Sequence, residues 1–248
     1  MEKGQGLSKR TKASLLAIFI FIPCFLYLGV TVFDDRKYLF IGLLILFTTM
    51  VPFFLIFEQR LPKARELMLI AGLTAIGVAG RMAFFWLPQF KPVIAVTIVA
   101  GVTLGPETGF LVGAMIGFVS NFYFGQGPWT PWQMFSFGLI GFLGGLLFQQ
   151  CKVKANKYTL SIYGFLSCFA IFGLIMNPVS IITFYNSFTW PMILASYVQG
   201  FYFDLVQGVA TVFFLFFFGE PMMEKIERVK VKYGFYKEDD WDNWDWED

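Results

Sequence analysis

Long apolar runs separated by short charged or proline-rich stretches dominate this chain. Eight of them read as membrane helices: 13–33, 38–57, 66–87, 92–105, 107–122, 132–149, 158–176 and 191–218. A helix needs about 20 apolar residues to cross ~30 Å of hydrocarbon. The fourth and fifth runs are short and joined only by Gly105-Pro106, which predicts a tight helical hairpin whose legs do not each fully span. The predicted fold is an all-α integral membrane protein. Residues 1–60 form an N-terminal transmembrane hairpin joined by Asp34-Asp35-Arg36-Lys37, and Leu61-Pro62 opens a six-helix core over residues 61–226. Residues 227–248 are a tail whose end packs acids around Trp241, Trp244 and Trp246.

Charge placement orients these spans. Lys9, Arg10 and Lys12 precede the first run, which is too long for a signal h-region and lacks a small-x-small cleavage site, so it reads as a retained helix. With the N-terminus inside, fifteen of the 19 Lys and Arg fall on the cytoplasmic side; only Arg36, Lys37, Arg81 and Lys91 lie opposite. The positive-inside rule then predicts a multi-pass protein of the cell membrane with both termini cytoplasmic.

Composition narrows the chemistry. The chain is 57% hydrophobic and 15% charged with 33 Phe, well off the soluble-domain profile. A net charge of +2 without a basic stripe argues against a nucleic-acid partner. Cys24, Cys151 and Cys168 are dispersed and His is absent, so no usual metal site, Ser-His dyad or Cys-His dyad is expected, and no cofactor is implied. No GxxxxGK[ST] occurs, so the chain cannot bind ATP through a P-loop of its own, and active transport would borrow its energy from elsewhere.

The three external links of the core are rich in aromatics, amides and prolines. The first carries Arg81, Phe85, Trp86, Gln89 and Lys91; the second Asn121, Tyr123, Gln126, Trp129, Trp132 and Gln133; the third Asn177, Tyr185, Asn186 and Trp190. Aromatic walls with a few amides and a cation suit an organic-ligand pocket, although Trp and Tyr also anchor helices at the interface. The last helix adds Ser196, Gln199, Asp204 and Gln207 along one broad face. Asp204 falls near mid-membrane, where a charge is costly and needs a partner; Arg81, a ligand, Gln207 or helix backbone are the candidates. Ala71, Ala75 and Ala79, four residues apart, form a smooth ridge that serves either internal packing or docking of another membrane subunit. Glu107 is read as a helix N-terminal residue rather than a catalytic acid.

The Ala71/Ala75/Ala79 ridge, Lys91-Pro92 before a short helix, Gly105-Pro106-Glu107-Thr108-Gly109-Phe110-Leu111-Val112-Gly113 and Gly117-Phe118-Val119-Ser120-Asn121 resemble the substrate-binding S-components of energy-coupling factor vitamin transporters. The resemblance covers roughly residues 63–226. It implies a non-enzymatic subunit that captures a vitamin-like small molecule in a pocket near the external face. It also implies a transmembrane coupling subunit docked on the alanine ridge, and two ATPase subunits. Residues 1–60 depart from the usual six helices. The stretch 124–133 resembles a subgroup linked with cobalamin or a related corrinoid, while the aromatic count equally suits riboflavin, a pterin or another flat heterocycle. Two other readings stay open: a membrane scaffold similar to the cell-shape protein of the rod complex, and an intramembrane enzyme, which the absence of His and of paired acids disfavours.

Overall fold

The computed structural model describes Met50 and residues 64–151, 153–184 and 189–233. Helix α1 spans Ala64–Ala83, α2 Val93–Leu104 and α3 Pro106–Phe124. Helix α4, Thr130–Gly145, runs on through a π turn at Leu146–Gln150. Helix α5, Lys157–Ser167, passes through a π segment at Cys168–Gly173 into α6, Leu174–Phe184. Helix α7, Trp190–Phe214, likewise continues through Leu215–Gly219 into α8, Glu220–Lys232. Of these rods, Ala64–Ala83, Thr130–Gln150, Lys157–Ile181 and Trp190–Lys232 are long and apolar enough to cross a bilayer. Large apolar side chains such as Ile76, Ile162, Leu166, Leu194, Val198 and Phe217 are exposed on the outside. Lipid, not water, suits that surface. The protein is an all-α integral membrane protein.

Helix α2 is the centre of the bundle. Eleven of its twelve residues, Val93 through Thr103, are buried, and it packs against α1, α3, α4 and α7. Its end follows from sequence. Gly105 takes φ 107°, a conformation that glycine adopts at little cost, and Pro106 opens α3, where its missing N–H is harmless. The same proline withdraws the donor that Val102 O would have met four residues on. Gln149 Nε2 donates to that carbonyl at 2.8 Å instead, and Lys230 Nζ of α8 donates to Thr103 O at 2.7 Å while bonding Glu227 Oε1 at 2.6 Å. A cation at a helix C-terminus also complements its dipole. Helices α2, α3 and α4 meet where Gly101, Gly109 and Gly141 face one another; a Cβ on Gly101 would stand 2.0 Å from Gly141 O. Only backbone fits there, the small-residue packing typical of helices in lipid.

Two predicted ends move. The run 158–176 was expected to stop at Asn177-Pro178, but the helix continues to Phe184 with Pro178 inside it. Proline should orphan Leu174 O, yet Tyr197 of α7 donates its hydroxyl to that oxygen at 3.0 Å. The last run, expected to stop at 218, continues helical to Lys232, since α8 is amphipathic and buries Met223, Ile226 and Lys230 on one side. The N-terminal hairpin apart from Met50, and the tail beyond Tyr233, lie outside the described residues; Met50 is buried against Phe110, Phe135 and Phe142 of α3 and α4.

Candidate functional site

A cavity of about 250 Å³ opens among α1, the first link, α4, the α5–α6 rod and α7. Its polar lining is Arg81, Gln89, Lys91, Gln133, Asn177, Asp204 and Gln207; Val93, Phe137, Phe172, Met176 and Phe203 supply apolar wall. Phe137 and Phe172 stack at 5.2 Å with their planes 21° apart.

Arg81, in the last turn of α1, is buried. Its Nη1 donates to Ser120 Oγ and, at 2.8 Å, to Asn121 Oδ1 of α3. Asn121 passes the network on, donating from Nδ2 to Gln133 Oε1 at 2.9 Å and to Thr130 Oγ1 at 3.1 Å. The Arg81 guanidinium stands 4.6 Å from the Phe124 ring centroid, and Lys91 Nζ lies 5.5 Å from that same ring. The two cations therefore approach the same aromatic ring. Burial, and then the nearby Arg81 charge, hold the Lys91 ammonium below its ordinary range.

Asp204 sits on the far wall, about 21 Å along α7 from Trp190 at 1.5 Å per residue. Its partner among the described residues is neither Arg81 nor Gln207, as sequence had allowed, but Asn177, whose Nδ2 donates to Oδ2 at 2.8 Å. The reason is the helix that runs through 177. A residue expected in an external link is carried into the bundle opposite α7. Two glycines make room for the pair. A Cβ on Gly173 would stand 2.3 Å from Asp204 Oδ2, and one on Gly200 would stand 2.2 Å from Asn177 Oδ1.

Of the residues proposed from sequence, Arg81, Gln89, Lys91, Gln133, Asn177 and Asp204 come together here, with Asn121 one hydrogen bond behind them. The aromatic candidates do not. Phe85, Trp86, Tyr123 and Trp190 point outward, Trp190 with 83% of its surface exposed. Trp129 faces Phe184 at 6.4 Å, and Trp132 packs on the Phe110 and Phe135 cluster. Gln126 closes its own loop by donating to Phe118 O at 3.0 Å, and Gln199 is exposed. Tyr185 and Asn186 lie outside the described residues. Gln207 is the added polar residue, visible in sequence as part of the polar face of the last helix. Phe137, Phe172, Met176 and Phe203 carried no signal, since nothing distinguishes them from other apolar residues in apolar runs. Ala71, Ala75 and Ala79 of the alanine ridge are all exposed, whereas Leu73, Thr74 and Gly77 of α1 face the core.

Comparison with known proteins agrees with this architecture. Residues 62–218 match the family model described as ECF-type riboflavin transporter, S component. The chain is similar to a UPF0397 protein of Vibrio atlanticus (strain LGP32), 31% identical over 122 residues, which is 47% of this chain and 66% of that relative. It is also similar to a UPF0397 protein of Aliivibrio fischeri (strain MJ11), 34% identical over 118 residues, which is 45% of this chain and 64% of the relative. The match thus spans just under two thirds of the length of these curated relatives. No solved structure matches the chain significantly. The family is one of non-enzymatic substrate-binding membrane proteins, and the matched span takes in the six rods from α1 to the end of α7. By that match the chain belongs to the ECF-type riboflavin transporter S-component family.

Proposed function

We propose that this chain is the membrane-embedded substrate-binding subunit of an ECF-type importer, and that it captures a small vitamin-like molecule from the non-cytoplasmic side. The observation that carries the reading is the convergence of seven polar side chains, from α1, the first link, α4, α6 and α7, on one cavity within an otherwise apolar bundle. Polar groups at this depth are costly unless they have a use. Three of them, Arg81, Lys91 and Asp204, are ionisable. A rod-complex type of scaffold has no need for such a cavity.

The core of residues 61–226 holds the substrate, both termini face the cytoplasm, and the exposed Ala71, Ala75 and Ala79 ridge receives the transmembrane coupling subunit, through which two ATPase subunits act. The corrinoid suggested by residues 124–133 gains no support. The cavity lies just under the ~300–1,000 Å³ range of drug-sized ligand pockets, which favours a compact heterocycle.

Thermal unfolding of the purified chain against a broad vitamin panel tests the reading, because a ligand well above its Kd raises apparent stability. One vitamin should raise Tm, and Ala75→Trp should abolish co-purification with the coupling subunit while leaving that shift intact. A flat response across the whole panel would sink the proposal.

A further inference from the structure

The cavity carries more positive charge than its walls neutralise. An arginine has five N–H donors and a lysine ammonium three. Among the described residues Arg81 uses only Nη1, and its two acceptors there, Ser120 Oγ and Asn121 Oδ1, are both neutral. Lys91 meets no acceptor among the described residues; its Nζ lies 5.5 Å from the centroid of the Phe124 ring that Arg81 also approaches. The lone lining carboxylate, Asp204, has Oδ2 engaged by Asn177, and among the described residues neither cation forms an ion pair with it. Gln133 adds a further donor. Its Oε1 accepts from Asn121, which leaves Nε2 without a protein partner among the described residues.

Two cations held against one ring repel each other, and a desolvated charge without a counter-charge is costly. The depressed Lys91 ammonium is the expected symptom. An anion between them would relieve the repulsion and gain charge-assisted hydrogen bonds, with the arginine fork suited to two oxygens and the lysine acting as a point charge.

Resting on the substrate-binding reading above, we infer that the ligand of this cavity carries an anionic group, a carboxylate or a phosphate, seated at Arg81, Lys91 and Gln133. Its neutral hydrogen-bonding end points to Asn177, Asp204 and Gln207, and its ring or chain lies along Phe137 and Phe172. The cavity volume restricts it to a small molecule.

Matched pairs test this directly on the purified full chain: pantothenate against pantothenol, biotin against biotinamide, and riboflavin 5′-phosphate against riboflavin. Each pair keeps the skeleton and removes the anion, and the three pairs separate carboxylate from phosphate. One anionic member should raise Tm and bind roughly 10- to 100-fold tighter than its neutral counterpart, the range for a charged hydrogen bond. Lys91→Gln should reduce that gap to a few-fold, and Lys91→Arg should keep most of it. Lys91 lies in a link and holds no hydrogen bond among the described residues, so both variants should fold; Arg81→Gln is the harsher companion, because it also frees Ser120 and Asn121. Equal binding of neutral and anionic members, or a gap that survives Lys91→Gln, would overturn the anion assignment while leaving substrate binding intact. A flat response to all six compounds would overturn it too, and the broader vitamin panel then tells whether substrate binding falls with it.

Discussion

Tyr197 holds the α5–α6 rod together at a point where its own sequence would break it. Pro178 has no N–H for Leu174 O, and the Tyr197 hydroxyl supplies one from the neighbouring helix at 3.0 Å. Removing it in Tyr197→Phe leaves a carbonyl without a donor in a membrane helix. An orphaned acceptor costs about 1–3 kcal/mol in water-soluble hosts, whereas side-chain hydrogen bonds in membrane helices average nearer 0.6 kcal/mol with a ceiling of about 1.7. A loss of about 1 kcal/mol is therefore expected. For a chain of this size that corresponds to roughly 2–4 °C in Tm. The discriminating partner is Pro178→Ala, which restores an N–H four residues beyond Leu174. In that background Tyr197→Phe should cost less than about 0.3 kcal/mol, the size of ordinary non-additivity. The cycle is read by SDS-titrated unfolding in mixed micelles, with wild type, both single variants and the double variant in parallel. An equal loss from Tyr197→Phe in both backgrounds would refute the account and reduce Tyr197 to a packing residue.

Three further outcomes follow from the geometry. Gly173→Ala drives a methyl into Asp204 Oδ2 and should cost about 1–3 kcal/mol as overpacking, whereas Gly72→Ala, with open space around it, should be neutral or slightly stabilising; equal Tm values for the two would contradict the packing described. Lys230→Met strips the donor from Thr103 O and should cost about 1–3 kcal/mol, with faster amide exchange at the end of α2 as its local signature. The third concerns pH. Lys91 faces Arg81 and, across the cavity, Asp204, and its ammonium is depressed below the ordinary lysine value. Between the depressed folded value and the ordinary one, the unfolded chain binds more protons. The ligand-free protein should therefore gain stability as pH rises through that window, while binding of an anionic probe weakens over the same window. Titrating Tm with and without the probe gives the ligand-free slope and, from the difference, the pH dependence of binding; a probe-induced Tm shift that does not shrink as pH rises through the window would disprove the assignment.

The helical core was legible because membrane helices announce themselves as long apolar runs, and Gly105-Pro106 marked the α2–α3 junction to the residue. The end of the α5–α6 rod was not. Asn177-Pro178 is a sound local stop signal, and the hydroxyl that cancels it comes from a residue nineteen positions away in sequence. The polar half of the site could be read in the same way, since Arg81, Lys91, Gln133 and Asp204 interrupt or flank apolar runs where charge is costly. The aromatic half could not. Rings that line a cavity and rings that meet lipid have the same composition, so Trp86 and Trp190 drew attention while Phe137 and Phe172 did not. Gln199 shows the limit of facial arguments: it sits about 140° around the helix from Asp204 at 100° per residue, too far to share its wall.

Helix α2 never meets the bilayer it is embedded in. At about 18 Å long by its 1.5 Å rise it is shorter than the hydrocarbon is thick, and neighbours wrap it on every side. Changes in bilayer thickness therefore act on the outer rods and reach α2 only through them. Its first residue, Val93, lines the cavity with Lys91, and its last turn meets Lys230 at the opposite end. Close-packed interiors transmit strain rather than absorbing it, so this inner post is a stiff mechanical link between the cavity and the far side of the protein.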